Sequence, residues 1–241
     1  MNLITTSVML GVAAAAANGL GGAVIVQKNW DRRYLRYFIA LGSGFMLATA
    51  LLEMLPESIR LSGPNAPLLL LAGYFLVHFF EHTVTTHFHF GEETHSEQYA
   101  QPHRVYSVLL GLIIHTFFDG IAIAAGFLVS EFLGWIIFLA VILHKVPEGF
   151  TASSVMLAGG RSKRAAWLAS AALGGATVMG VLTVTVFARS FSAGLPLSAG
   201  VTLYVAASDL IPEVNREPGL GVAFAVFLGV GMFLGIQYLF H

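Results

Sequence analysis

The fold class this sequence predicts is an all-α polytopic membrane protein with eight transmembrane helices. Three observations predict it. Hydrophobic residues make up 56% of the chain and charged residues 10%, with a mean hydropathy of +0.78, whereas a soluble domain carries charge near a quarter of its residues. The apolar residues fall into runs that match the roughly 20 residues a bilayer-crossing helix needs. One stretch of the second run also recurs without gaps in the seventh. With 241 residues, the spans leave no room for a sizeable soluble domain. A net charge of −1 offers nothing to nucleic acid. No cysteine is present, which excludes thiolate ligands and disulfides and leaves the redox compartment open.

In order, the apolar runs cover about 4–26, 34–59, 66–90, 105–129, 131–157, 164–188, 191–212 and 218–240, within one transmembrane domain over 1–241. The first begins at once, without a basic leader or a convincing cleavage site, and reads as a retained span. Polar breaks separate the runs, among them Gly63-Pro64-Asn65 and a histidine-bearing loop over about 91–104. Basic residues favour the cytoplasmic side. Placing the loops after spans 1, 3, 5 and 7 inside collects Lys28, Arg32, Arg33, Arg36, Arg104, Arg161, Lys163, Arg164 and Arg216, against Arg60 and Arg189 on the other side. Both termini are therefore expected outside a cell (inner) membrane. Glycines on span 8, such as Gly229 and Gly231, suit a helix contact within the chain or between two subunits of a homodimer.

The repeat aligns Gly44 to Glu57 with Gly200 to Glu213, keeping Gly, Leu, Ala, Pro and the last Glu in register and matching Glu53 with Asp209. The two copies lie on spans of opposite direction, the mark of an inverted-repeat transporter with its site at the repeat interface.

Two motifs supply the chemistry. Span 4 carries His115-Thr116-Phe117-Phe118-Asp119-Gly120 and span 5 carries His144-Lys145-Val146-Pro147-Glu148-Gly149. Each sets a histidine and a carboxylate four residues apart, on one helical face. Charges inside a membrane are costly and face an interior or a wet cavity. One such pair could merely pin two helices together; a second at similar depth argues for a metal site, and two imidazoles with two carboxylates suit a first-row divalent cation. Pro147 frees a carbonyl and bends its helix, as befits a segment that borders a cavity. Span 3 and the loop after it add His78, Glu81, His82, His87, His89, His95 and His103.

These motifs resemble the fourth- and fifth-helix patterns of the ZIP (Zrt-, Irt-like protein) metal transporters, and the chain is identified as a prokaryotic-type member. The resemblance implies a 3+2+3 arrangement, with spans 1–3 and 6–8 related by inversion and spans 4 and 5 between them. It implies one metal site made of His115, Asp119, His144 and Glu148, joined by Glu53 from span 2. Thr116 and Lys145 stand where the family usually has an asparagine and a second carboxylate, so the second, adjacent metal site is expected to be lost. Lys145 is expected to pair with Asp119, Glu148 or Glu53, or to carry protons. Asp209, Glu57 and Glu213 are candidate pathway residues, with solvated helix ends the alternative for the last two. His78, His82, His87, His89 and His95 are candidates for cytosolic metal capture.

The reading is a transporter, not an enzyme, that moves a divalent metal through the lipid bilayer into the cytoplasm. Zinc is the leading cargo, and iron, manganese, cobalt or cadmium would suit the same ligands. The alternatives are an intramembrane zinc-dependent lipid hydrolase, which would need an open coordination position and a poised base, and a metal sensor without transport.

Overall fold

The structure, a computed structural model, describes residues 3–27, 32–83, 102–187, 194–215 and 219–240. These residues are almost wholly helical, with no strand among them. The elements are α1 (Leu3–Gln27), α2 (Arg32–Thr49), a π-turn π1 (Ala50–Met54), α3 (Leu55–Ser62), a short 3-10 turn (Gly63–Asn65), α4 (Ala66–Thr83), α5 (Pro102–Val129), α6 (Glu131–Ala158), α7 (Lys163–Phe187), α8 (Gly194–Tyr204), a second π-turn π2 (Val205–Leu210), α9 (Ile211–Asn215) and α10 (Leu220–Phe240).

Among the described residues, six helical stretches are long and apolar enough to cross a membrane: Leu3–Gln27, Ile39–Phe80, Leu109–Val129, Glu131–Leu157, Lys163–Val186 and Leu220–Leu239. The predicted spans over 34–59 and 66–90 meet in the second of these, which holds 39–59 of the first and 66–80 of the other; residues 84–90 lie outside the described residues. Only the 3-10 turn parts them, entered through Gly63 at φ 54, a left-handed conformation that glycine adopts without penalty. The run α8–π2–α9, where a seventh span was expected, is not among the six.

Two sets of helices pack together. α1, α5, α6 and α7 contact one another, while α2 lies along α10 and α4 along α8; α2 touches α6, and α8 touches α5. Small residues let the backbones meet. A methyl group on Gly44 would strike the Val226 carbonyl, and one on Gly200 the Leu70 carbonyl. Gly73 stands in the same way against Leu197, and Gly229 against Leu41. Positions 44, 70, 73 and 41 differ from 200, 226, 229 and 197 by one constant interval, the same that separates the two sequence copies.

The backbone repeats as closely as the contacts do. The Leu55 N–H donates to the Ala50 carbonyl and the Ile211 N–H to the Ala206 carbonyl, five residues back in each case. Pro56 and Pro212 follow at once. A proline has no N–H for the carbonyl four residues earlier, so an α-helical register cannot be completed there, and the preceding turn widens. Phe45 of α2 meets Phe233 of α10 edge to face at 5.8 Å.

Candidate metal site

Two adjacent, oppositely directed helices build the site. α5 ends at Val129, Ser130 is extended, and its hydroxyl accepts from the Leu133 N–H at 3.1 Å to start α6. This is an ordinary N-cap, satisfying a donor that the first turn leaves orphaned. The tight reversal sets His115, Thr116 and Asp119 of α5 against His144, Lys145 and Glu148 of α6. The glycine after each carboxylate fixes the flanks: Gly120 stands against the Thr177 carbonyl of α7, and Gly149 against the Asn18 carbonyl of α1. Neither position has room for a methyl group.

His115, Asp119, His144 and Glu148 are all buried, and one ligand atom from each lies within 4.8 Å of every other. Asp119 Oδ2 is the hub. It is 3.3 Å from His115 Nε2 and 3.3 Å from His144 Nε2, and Glu148 Oε2 lies 3.9 Å from His144 Nε2. The imidazole rings stand 5.6 Å apart. His144 Nδ1 is 3.0 Å from the Ala140 carbonyl. A carbonyl only accepts, so Nδ1 donates to it, which fixes the ring with Nε2 facing Asp119 Oδ2 and Glu148 Oε2. Neither ring nitrogen of His115 has a hydrogen-bond partner among the described residues. Imidazole nitrogens and carboxylate oxygens thus converge in one buried place, a donor set that suits a divalent transition metal.

One cation is built in. Lys145 is fully buried, and its ammonium donates to Asp119 Oδ2 and to Glu148 Oε2 at 2.6 Å each, and to Thr116 Oγ1 at 3.0 Å. The Thr116 hydroxyl in turn donates to Glu148 Oε1. Lys145 therefore bridges the acid of one motif to the acid of the other. Of the expected partners of Lys145, Asp119 and Glu148 are met.

Glu53, expected as a fifth ligand, is not in this group; its carboxylate accepts from Gln237 Nε2 of α10 at 3.1 Å. Its level on the helix is the physical reason. Gly42 faces Leu143 of α6, beside His144, and residue 53 lies eleven residues, about 16 Å, further along. There α10 borders the first turns of α6, with Ile236 beside Glu131 and Phe132, and the wide π1 turn leaves Glu53 against Gln237. Asp209 is buried on π2, also outside the group. Its neighbour Ser208 shares a hydrogen bond with the Tyr74 hydroxyl at 2.9 Å. Glu57 pairs with Arg60 through two contacts, at 2.5 and 2.8 Å. Glu213 lies in α9, its side chain outside the description.

On α4 the rings of His78 and His82 stack 4.0 Å apart, and His82 Nδ1 is 2.9 Å from the His78 carbonyl. His87, His89 and His95 lie outside the described residues. Sequence reasoning missed two residues. Asn18 of α1 is fully buried beside Gly149 with neither side-chain amide atom hydrogen-bonded among the described residues; the signal was an amide inside an alanine run. Gln237 was the other, a lone amide near the end of the last apolar run.

The family model described as ZIP Zinc transporter matches residues 3–107 and 90–237, nearly the whole chain. The chain belongs to the ZIP zinc transporter family. Among similar proteins, Zinc transporter ZIP13 of Danio rerio is 31% identical over 156 residues, 58% of this chain and 44% of that protein. Zinc transporter ZIP4 of Homo sapiens is 36% identical over 114 residues, 46% of this chain and 18% of that protein. Zinc transporter ZIP9-A of Xenopus laevis is 22% identical over 271 residues, covering 89% of this chain and 88% of that protein. The chain spans less than half the length of the first of these relatives. Family membership and the apolar helices make it a multi-pass membrane protein.

Proposed function

We infer that this chain transports a divalent transition metal, zinc foremost, across the membrane through a single site made of His115, Asp119, His144 and Glu148. The observation that carries the reading is the convergence of two imidazoles and two carboxylates, all buried, on two neighbouring membrane-length helices. Zinc as cargo rests on what the similar proteins are named. Mixed nitrogen and oxygen ligands in a tetrahedral set suit zinc at about 2.0–2.2 Å, and the four side chains need only close in around an ion to reach it.

Lys145 makes this a one-ion site. A divalent ion about 4 Å from a fixed ammonium would be repelled by about 8 kcal/mol at an effective dielectric of about 20. The metal and the ammonium therefore compete for Asp119 and Glu148. Lys145 acts as a tethered cation that fills the site between passages and swings aside when the ion enters. No covalent step is needed, and the reading is transport rather than catalysis.

The wider architecture follows the inverted repeat. Eight crossings in a 3+2+3 arrangement are supported by the constant interval relating the glycine contacts of α2 and α10 to those of α8 and α4, and by the matched π-turns. The basic residues of the loops support placing both ends outside a cell membrane, with transport toward the cytoplasm. The histidines of α4 and the following loop would receive the ion there. The exposed, apolar α10 (Leu220, Phe224, Phe227) suits either lipid or the second subunit of a homodimer.

The test is flux into liposomes that hold purified protein. His115→Ala and Glu148→Ala are expected to abolish metal-dependent flux, and flux unchanged by both refutes the site. A second reading, metal sensing without transport, is favoured by the buried Lys145 bridge; binding without flux in the parent protein supports that reading instead.

A further inference from the structure

The two π-turns, five and six residues long, share one construction. Both close with an N–H bonded five residues back, from Leu55 to Ala50 and from Ile211 to Ala206. Both are followed at once by a proline, and both hold an acid at the same place, Glu53 and Asp209. π-turns inside α-helices collect at functional sites. We propose that these turns are paired register switches: each alternates between a π and an α register and swings its carboxylate between a parked position and the ion's path, one at each mouth of the transporter.

The chemistry of the backbone permits the exchange. In the π register the Leu55 N–H serves the Ala50 carbonyl; in the α register it serves that of Leu51. Pro56 has no N–H, so neither register satisfies every carbonyl of the turn. An ordinary residue there would complete the α-helix and favour it. Because of the proline, the two registers exchange one bond for another.

The swing has a direction. Annealing π1 turns Glu53 by about 100°, from Gln237 of α10 toward the first turns of α6, where Glu131 and Phe132 line a cavity with Ile236. Annealing π2 moves the Ile211 N–H to the Ala207 carbonyl and turns Asp209 by the same angle; π2 packs on α2. Gln237 is the parking partner of Glu53, an amide that holds a carboxylate without neutralising it. The mouth beside it is an open cavity of about 330 Å³ lined by Leu52, Glu53, Pro56, Glu57, Arg60 and Gln237. Inversion of the repeat puts the second switch at the opposite face, so each mouth has one movable acid.

The proposal rests on the transport reading, and its test separates the two. Deleting Leu51 or Ala207 removes the extra residue and fixes one turn in the α register. In oriented liposomes, the Leu51 deletion is expected to lower KM at least threefold for zinc offered on the Glu53 side and to leave KM on the Asp209 side unchanged. The Ala207 deletion is expected to give the mirror image. If a deletion does not fold, Pro56→Ala and Pro212→Ala supply the missing N–H and are expected to give the same mirrored pattern. Equal effects on the two sides, or none, overturn the register switch while leaving a zinc-moving parent protein intact. A parent protein that neither binds nor moves zinc overturns the transport reading itself.

Discussion

Replacing Lys145 with methionine should weaken the empty protein and strengthen its hold on metal. The ammonium is fully buried and touches both Asp119 and Glu148 at 2.6 Å. Removing one partner of a buried ion pair typically costs about 3–5 kcal/mol, because the remaining charge has no compensation. Here two carboxylates lose a shared cation, so the metal-free variant should melt well below the parent. A divalent ion then meets no competitor. The repulsion of about 8 kcal/mol at fixed positions is an upper bound, since the lysine can swing aside. Recovering even a sixth of it, about 1.4 kcal/mol, tightens Kd tenfold. The assay is titration calorimetry in detergent beside thermal melts with and without zinc. A tenfold tighter Kd and a larger zinc-induced rise in Tm are expected. A Kd within twofold of the parent, or weaker, would refute the competition between ammonium and ion.

Other substitutions probe the supports of the site. Gly149→Ala forces a methyl against the Asn18 carbonyl; overpacking of this kind costs about 1–3 kcal/mol, and both Tm and zinc flux should fall. Thr116→Val removes the hydroxyl between Lys145 and Glu148, and should cost about 1–3 kcal/mol in chemical denaturation, most of which Thr116→Ser restores. Asn18→Leu deletes two buried amide atoms without partners among the described residues. It should raise stability by about 1 kcal/mol or more, and a fall in Tm would reveal a partner for that amide.

The sequence made the four converging side chains legible because the helical period alone puts residues four apart on one face, and the motif was present twice. It also left Lys145 with a short list of acids to pair with, and two of the three are its partners. The position of Glu53 was not legible. One wide turn shifts every side chain near it by about 100°, and periodicity arguments assume an unbroken helix. The hint was there in Pro56 and Pro212, each three residues after an acid, but a proline signals a break without saying which register precedes it. The second and third spans, expected as separate, run on in one helical stretch because only Gly63, at φ 54, leaves helical geometry in the Gly63–Asn65 turn. Asn18 went unread because neighbours from α6 and α7, far along the chain, are what bury it.

Zinc K-edge X-ray absorption on the loaded protein addresses the central claim most directly. One zinc per chain is expected, with nitrogen and oxygen at about 2.0–2.2 Å and scattering from two imidazoles that drops to one in His144→Ala. Two zinc ions per chain, or a spectrum without imidazole, would contradict a single ion held between α5 and α6.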